Sequence, residues 1–155
     1  MHFSLADIVT DIIQNSVESG ADKLELHIDE TPGPNGSVDS PCKREFRFTV
    51  KDNGRGMSPE ELKQAEDPFY SDGIKHPWRR VGLGIPFMLQ TAELSGGGWD
   101  IKSEKKAGTT VSAWFDLDNL DTPPVGDIPG LLRSARHFDG IRELMIYTKG
   151  VRQYG

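Results

Sequence analysis

A chain of 155 residues with 35% hydrophobic and 27% charged residues has the size and balance of one soluble domain, with little length for a second. Its formal net charge of -6 opposes non-specific attraction to nucleic acid or an anionic membrane, so neither is an expected partner. Cys42 is the single cysteine, which excludes an internal disulfide, and the absence of a basic leader or a bilayer-length apolar run makes the expected location cytoplasmic.

Leu5, Ile8, Val9, Ile12, Ile13 and Val17 recur at helical spacing behind Ser4, with Asp7 three positions after that cap, and predict a first helix over residues 5–19 that Gly20 ends. Leu24, Leu26 and Ile28 then alternate with polar residues, the period of a strand with one buried face. Residues 31–43, rich in Pro, Gly and Ser, predict an exposed loop, after which Phe46, Phe48 and Val50 form the return strand of a hairpin. Ser58-Pro59-Glu60-Glu61 places a capping hydroxyl, a first-turn proline and a third-position acid in the order that starts a short helix.

Residues 67–80 combine Pro, Gly, aromatic and basic residues without a period and predict an irregular surface segment. Leu83, Phe87, Leu89, Ala92 and Leu94 restore helical spacing until Gly96-Gly97-Gly98 stops it. Residues 99–103 and 109–117 predict two strands joined by a turn at residues 105–108. This order implies an α+β fold, a two-layer α/β sandwich whose mixed, mostly antiparallel sheet is covered by helices on one face. Residues 1–117 are the expected domain, and residues 118–155 a C-terminal extension of open role. In the extension Asp127 caps a last helix across Leu131, Leu132 and Ala135, and residues 141–148 read as strand or helix.

Three stretches carry candidate chemistry. Asp11 and Asn15, four apart, share one helix face. Such a pair is ordinary on a solvated face; its functional reading is that the Asn15 amide oxygen ligates Mg²⁺, a hard ion that takes oxygen donors, while Asp11 orients or deprotonates a nucleophile. Asp52, in Val50-Lys51-Asp52-Asn53-Gly54-Arg55-Gly56-Met57, sits at a strand end. An ionised carboxylate offers only acceptors and so suits an exocyclic amine such as that of adenine, although Asp-Asn-Gly is also a hairpin signal. Gly54 and Gly56 permit close approach or positive φ on both sides of Arg55.

Gly82-Leu83-Gly84 precedes a helix, where free amides and the dipole favour phosphate, and a tight turn explains it equally. Lys75, Arg79 and Arg80 stand just before it as phosphate contacts or loop cations. His76 has no other ligand-type residue at metal spacing and reads as a loop residue.

Taken in this order, the segments resemble the GHKL ATPase superfamily of DNA gyrase B, the Hsp90-type chaperones, histidine kinases and MutL. Residues 11–22 resemble the N box, residues 52–57 the first glycine box, Asp67-Pro68-Phe69-Tyr70 the F box, Gly82-Leu83-Gly84-Ile85-Pro86 the second glycine box, and Gly108-Thr109-Thr110 the last glycine-threonine element. The resemblance implies a Bergerat fold and a histidine-kinase-like ATPase domain that binds ATP or ADP with Mg²⁺. By position, Asn15 would hold the metal, and Asp52 the adenine amine. Gly54, Gly56 and Met57 would form the nucleotide-facing turn, with Lys75, Arg80, Gly82, Leu83 and Gly84 at the phosphates and Thr110 on the adenine side. Residues 67–80 would be the mobile lid.

Departures from the family shape the expected function. No phosphoacceptor hairpin precedes the N box, so a self-phosphorylating sensor kinase is not expected unless another chain supplies it. Asp11 stands where kinases of that class usually have an amide and hydrolysing members have Glu, and no transducer domain fits in the length. The expectation is a regulatory ATPase or protein-kinase subunit, with Asp11 catalytic and protein partners supplying the phosphoacceptor or effector. The alternative is a nucleotide-gated, anti-sigma-type binding module with little turnover.

Overall fold

The computed structural model describes residues 4–31, 44–66, 84–138 and 140–149. Residues 32–43 of the expected loop, with Cys42, the expected lid over 67–80 with Lys75, His76, Arg79 and Arg80, and Gly82 and Leu83 lie outside the described residues. The elements run α1 (Leu5–Glu18), β1 (Lys23–Thr31), β2 (Glu45–Asp52), α2 (Pro59–Glu66), α3 (Gly84–Leu94), β3 (Gly98–Glu104), β4 (Gly108–Asp116), α4 (Ile128–Ala135) and β5 (Glu143–Lys149).

Helix α1 is defined at both ends by its own sequence. Ser4 and Asp7 form a reciprocal capping box at the start. At the other end Gly20, at φ +83°, lets its amide reach the Val17 carbonyl and the Ala21 amide reach the Ser16 carbonyl, a Schellman closure that turns the chain into β1. Two amides of the first turn remain, and residues far along the chain take them: Leu5 N–H donates to the Pro124 carbonyl at 2.8 Å and Ala6 N–H to that of Val125 at 2.9 Å.

The sheet has five strands in the order β3-β4-β2-β1-β5. β1, β2, β4 and β3 are joined antiparallel, and β5 lies parallel to β1 at the edge. Period-two alternation decides the faces: Phe46, Phe48 and Val50 of β2 point inward, as do Leu24, Leu26 and Ile28 of β1 and Val111, Ala113 and Phe115 of β4. Against that face pack Ile8, Val9, Ile12 and Ile13 of α1, Ile85, Met88 and Ala92 of α3, and Ile128, Leu131 and Ala135 of α4. Phe115 stands between Phe46 and Phe48, at 6.4 and 6.3 Å between ring centroids. Each fully buried side chain of this size contributes about 1.5–3 kcal/mol by leaving water.

The other face carries polar and amphipathic residues. Arg47 lies 4.4 Å over the Trp114 ring, His27 stacks on Tyr147 at 4.6 Å, and the Thr49 and Ser112 hydroxyls are 2.9 Å apart. The result is a two-layer α/β sandwich with a mixed, mostly antiparallel sheet and helices on one face. Residues 141–148 read either way by pattern; from Glu143 they form β5 because the edge of β1 offers unpaired backbone groups, and Leu144 and Ile146 turn inward.

Candidate functional site

The site collects where α1 ends and β2 and β4 meet beneath it. Asp52 is the last residue of β2, only 8% exposed, and its partners account for most of its acceptor capacity. The Ser16 hydroxyl donates to Oδ2 at 2.6 Å, while the Gly54 and Thr109 amides donate to Oδ1 at 2.8 and 3.3 Å. An ionised carboxylate accepts about four hydrogen bonds, so about one acceptor position is left for a ligand.

Asn15 precedes Ser16 in the same turn of α1. Its Oδ1 is buried and has no hydrogen-bond partner among the described residues. Buried carbonyl oxygens are nearly always satisfied, and an orphan one aimed from a helix carrying an acid one turn earlier fits a hard cation that takes oxygen donors. Asp11, that acid, keeps solvent contact. Desolvation by its surroundings raises its pKa above the ordinary Asp value, and repulsion from Asp7 adds to the rise. A carboxylate so placed holds a proton more firmly than a free one.

The glycines of the turn answer first to packing. A Cβ on Gly54 would fall on the Ser19 side chain, and one on Gly56, which sits at φ +69°, would fall on the Glu104 carbonyl. The Arg55 amide donates to the Ser19 carbonyl at 3.1 Å, and the Lys106 amide to the Arg55 carbonyl at 2.7 Å, so the turn is stitched to the end of α1 and to the β3–β4 turn. Met57 continues the stitching, its amide donating to Ser103 Oγ at 2.8 Å, and that hydroxyl lies 2.7 Å from Thr109 Oγ1.

Strand register puts the two neighbouring threonines of β4 on opposite faces. Thr110 pairs with Lys51 and Lys102, both exposed, and so lies on the outer face, away from Asp52. Thr109 pairs with Asp52 and shares its face, because side chains alternate along β4. Gly84 is the first residue of α3, whose first turn contains no acid. Pro86 in that turn removes no intrahelical bond.

Ser16, Asn53, Ser103 and Thr109 carried no assigned role in the sequence reading. Ser16 carried one signal, a hydroxyl on the apolar stripe of α1 at four residues from Ile12, where a polar group must find a partner. Asn53 carried another, as the middle of an Asp-Asn-Gly turn whose side chain is suited to capturing backbone amides. Ser103 and Thr109 depend on register alone.

A backbone turn, a hydrogen-bonded carboxylate and an amide oxygen without a partner among the described residues thus meet at the end of α1. Residues 3–119 match the family model described as histidine kinase-, DNA gyrase B-, and HSP90-like ATPase, and the chain belongs to this family. It therefore contains an ATP-binding domain of the histidine-kinase-like type. Histidine protein kinase DivJ of Caulobacter vibrioides is 41% identical over 68 residues, 43% of this chain and 11% of that protein. Sensor histidine kinase SpaK of Bacillus subtilis is 34% identical over 95 residues, 59% of this chain and 21% of that protein. The chain thus matches between 11% and 21% of the length of these two curated relatives. Among solved structures, the histidine kinase domain of the Erythrobacter litoralis EL346 blue-light activated histidine kinase aligns with a TM-score of 0.44 and 18% identity, over 74% of this chain and 43% of that one. No helix among the described residues is long and apolar enough to cross a membrane.

Proposed function

We propose that the domain binds ATP or ADP with Mg²⁺ and serves as a regulatory ATPase or protein-kinase subunit within a larger assembly. The observation that carries this reading is the buried Oδ1 of Asn15, without a partner among the described residues and one residue before the serine that donates to Asp52. In it Asn15 holds the metal, and Asp52 accepts from the adenine amine. Gly84 and the residues before it, Gly82 and Leu83, receive the phosphates with Lys75 and Arg80, while residues 67–80 close as a lid. Mg²⁺, when bound, neutralises phosphate charge and orients the transferred group.

Asp11, one turn before Asn15 and with a raised pKa, takes the proton of an attacking water or hydroxyl. Positioning supplies most of the catalysis of phosphoryl transfer, so a domain that relies on a protein partner for its acceptor or effector turns over slowly alone. Titration calorimetry with Mg-ATP and Mg-ADP tests the binding, and absence of binding to both overturns the reading. Incubation with γ-labelled ATP then separates the activities. Free phosphate that is lost in Asp11→Asn marks an ATPase, label on protein marks a kinase, and neither, with a nucleotide-dependent pull-down, marks a switchable binding module.

A further inference from the structure

A sheet edge presents unpaired backbone N–H and C=O groups, and natural edge strands are commonly blunted by charged side chains or proline. The two edges of this sheet differ in that respect. β3, at one end, exposes Asp100, Lys102 and Glu104, a charge at every second position. β5, at the other end, pairs with β1 on one side, and no strand among the described residues pairs with its other side. Its central run, Leu144 to Thr148, contains neither a charge nor a proline. Leu144 and Ile146 are only partly buried against the core, while Met145 and Tyr147, 42% and 49% exposed, stand on the outer face.

The run is also self-complementary. Residues directly opposite in an antiparallel pair share a face, so joining β5 to a second β5 about a two-fold at Ile146 sets Met145 opposite the second copy's Tyr147 and position 143, a Glu, opposite position 149, a Lys. Opposite charges then close the pairing at both ends, and the Met145 thioether meets a ring that already stacks on His27 at 4.6 Å. A two-fold at Met145 or at Tyr147 loses that charge match and shortens the pairing. We infer that β5 is a homodimer interface, through which two copies of this chain join edge to edge, antiparallel about Ile146, into one continuous sheet. The contact is isologous and closes at two copies, because only the charged β3 edges remain outside it. β5 lies beyond residues 3–119 that match the family, and the inference is independent of the ATP reading.

Sedimentation equilibrium on the full chain without nucleotide measures the association. Two double variants change the charge at the exposed pair: Met145→Lys with Tyr147→Lys sets like charges opposite each other across the interface, and Met145→Lys with Tyr147→Glu sets opposite ones. The expected result is a wild-type dimer at about 100 μM, and a dissociation constant at least about tenfold higher for the Lys–Lys variant than for the Lys–Glu variant. A monomer at that concentration, or an assembly larger than two, overturns the inference. Equal dissociation of the two variants overturns it as well, because residues 145 and 147 would not then face each other. Hydrogen exchange on the wild type needs no variant and decides the matter where the variants unfold. The amides of Leu144 to Thr148 are expected to lose protection on dilution below the dissociation midpoint, and protection that does not change with concentration overturns the inference.

Discussion

Asn53 and Asp22 hold each other across 31 positions of sequence: the Asp22 amide donates to Asn53 Oδ1 at 3.0 Å, and Asn53 Nδ2 donates to Asp22 Oδ1 at 2.7 Å. The Lys23 amide also donates to Asn53 Oδ1 at 3.0 Å, and the Asp22 carbonyl accepts from the amides of Arg142 and Glu143 at 2.7 and 3.1 Å. The start of β1, the glycine turn after Asp52 and the start of β5 therefore meet at one pair of residues. Asn53→Ala removes the three side-chain bonds at a partly solvated position and is expected to cost about 1 kcal/mol. A lower urea midpoint at unchanged slope checks this, and weaker nucleotide binding is expected with it.

Asn15→Ala separates a binding role from a structural one. Because Oδ1 has no described partner to lose, the free variant is expected to be at least as stable as wild type, within about 0.5 kcal/mol of it or above. The tightening of ATP binding by Mg²⁺ is expected to disappear. Paired melts and magnesium titrations read both, and a clear loss of stability without any loss of the magnesium effect contradicts the assignment.

The segment after residue 119 lies beyond the family match yet braces both ends of α1. Pro124 and Val125 take its first amides, Ile128 and Leu131 pack into its core, and β5 is tied to Asp22, just past its end. Ile128, 2% exposed, is the test residue: Ile128→Ala is expected to cost about 2–4 kcal/mol in urea unfolding, with nucleotide affinity falling as α1 loosens.

Two carboxylates give opposite pH dependence. The hydrogen bond from Lys105, at 2.8 Å, holds Glu61 down to about 2 from an ordinary 4.5, so its contribution is full above the ordinary value and is lost as pH falls toward 2. Glu61→Gln flattens that acid limb. Asp11 runs the other way. Its folded pKa is raised above the ordinary 3.8, so it opposes folding increasingly as pH rises through that interval. Asp11→Asn is therefore expected to be slightly more stable at neutral pH, by less than about 0.5 kcal/mol, and under the proposed function to lose about a hundredfold in turnover.

Much of the architecture was legible because it follows from local rules. The Ser4–Asp7 box, the apolar stripe of α1, the alternation from Leu24 to Ile28 and from Phe46 to Val50, and the glycines after α3 each place an element without reference to the rest of the chain. Period and capping are properties of a few consecutive residues. The candidate site was legible less directly. Asp52 at a strand end and Asn15 on a helix face are ordinary by residue type alone, and only the order of the segments and the family resemblance marked them as a candidate acceptor and oxygen ligand.

Long-range pairing decided what sequence could not. Whether Thr109 or Thr110 stands at Asp52 turns on the register of β4 against β2, and a shift of one residue exchanges the faces. That residues 143–149 form a strand follows from the free edge of β1, and the partners of α1's first amides come from Pro124 and Val125, more than a hundred positions away. The chain by itself determined every element but the last strand, their order and the residue types of the candidate site. Tertiary contact alone decided that Ser16 donates to Asp52 while its neighbour Asn15 has no partner for Oδ1 among the described residues, since satisfaction of a polar atom depends on which groups the completed fold brings within hydrogen-bond reach.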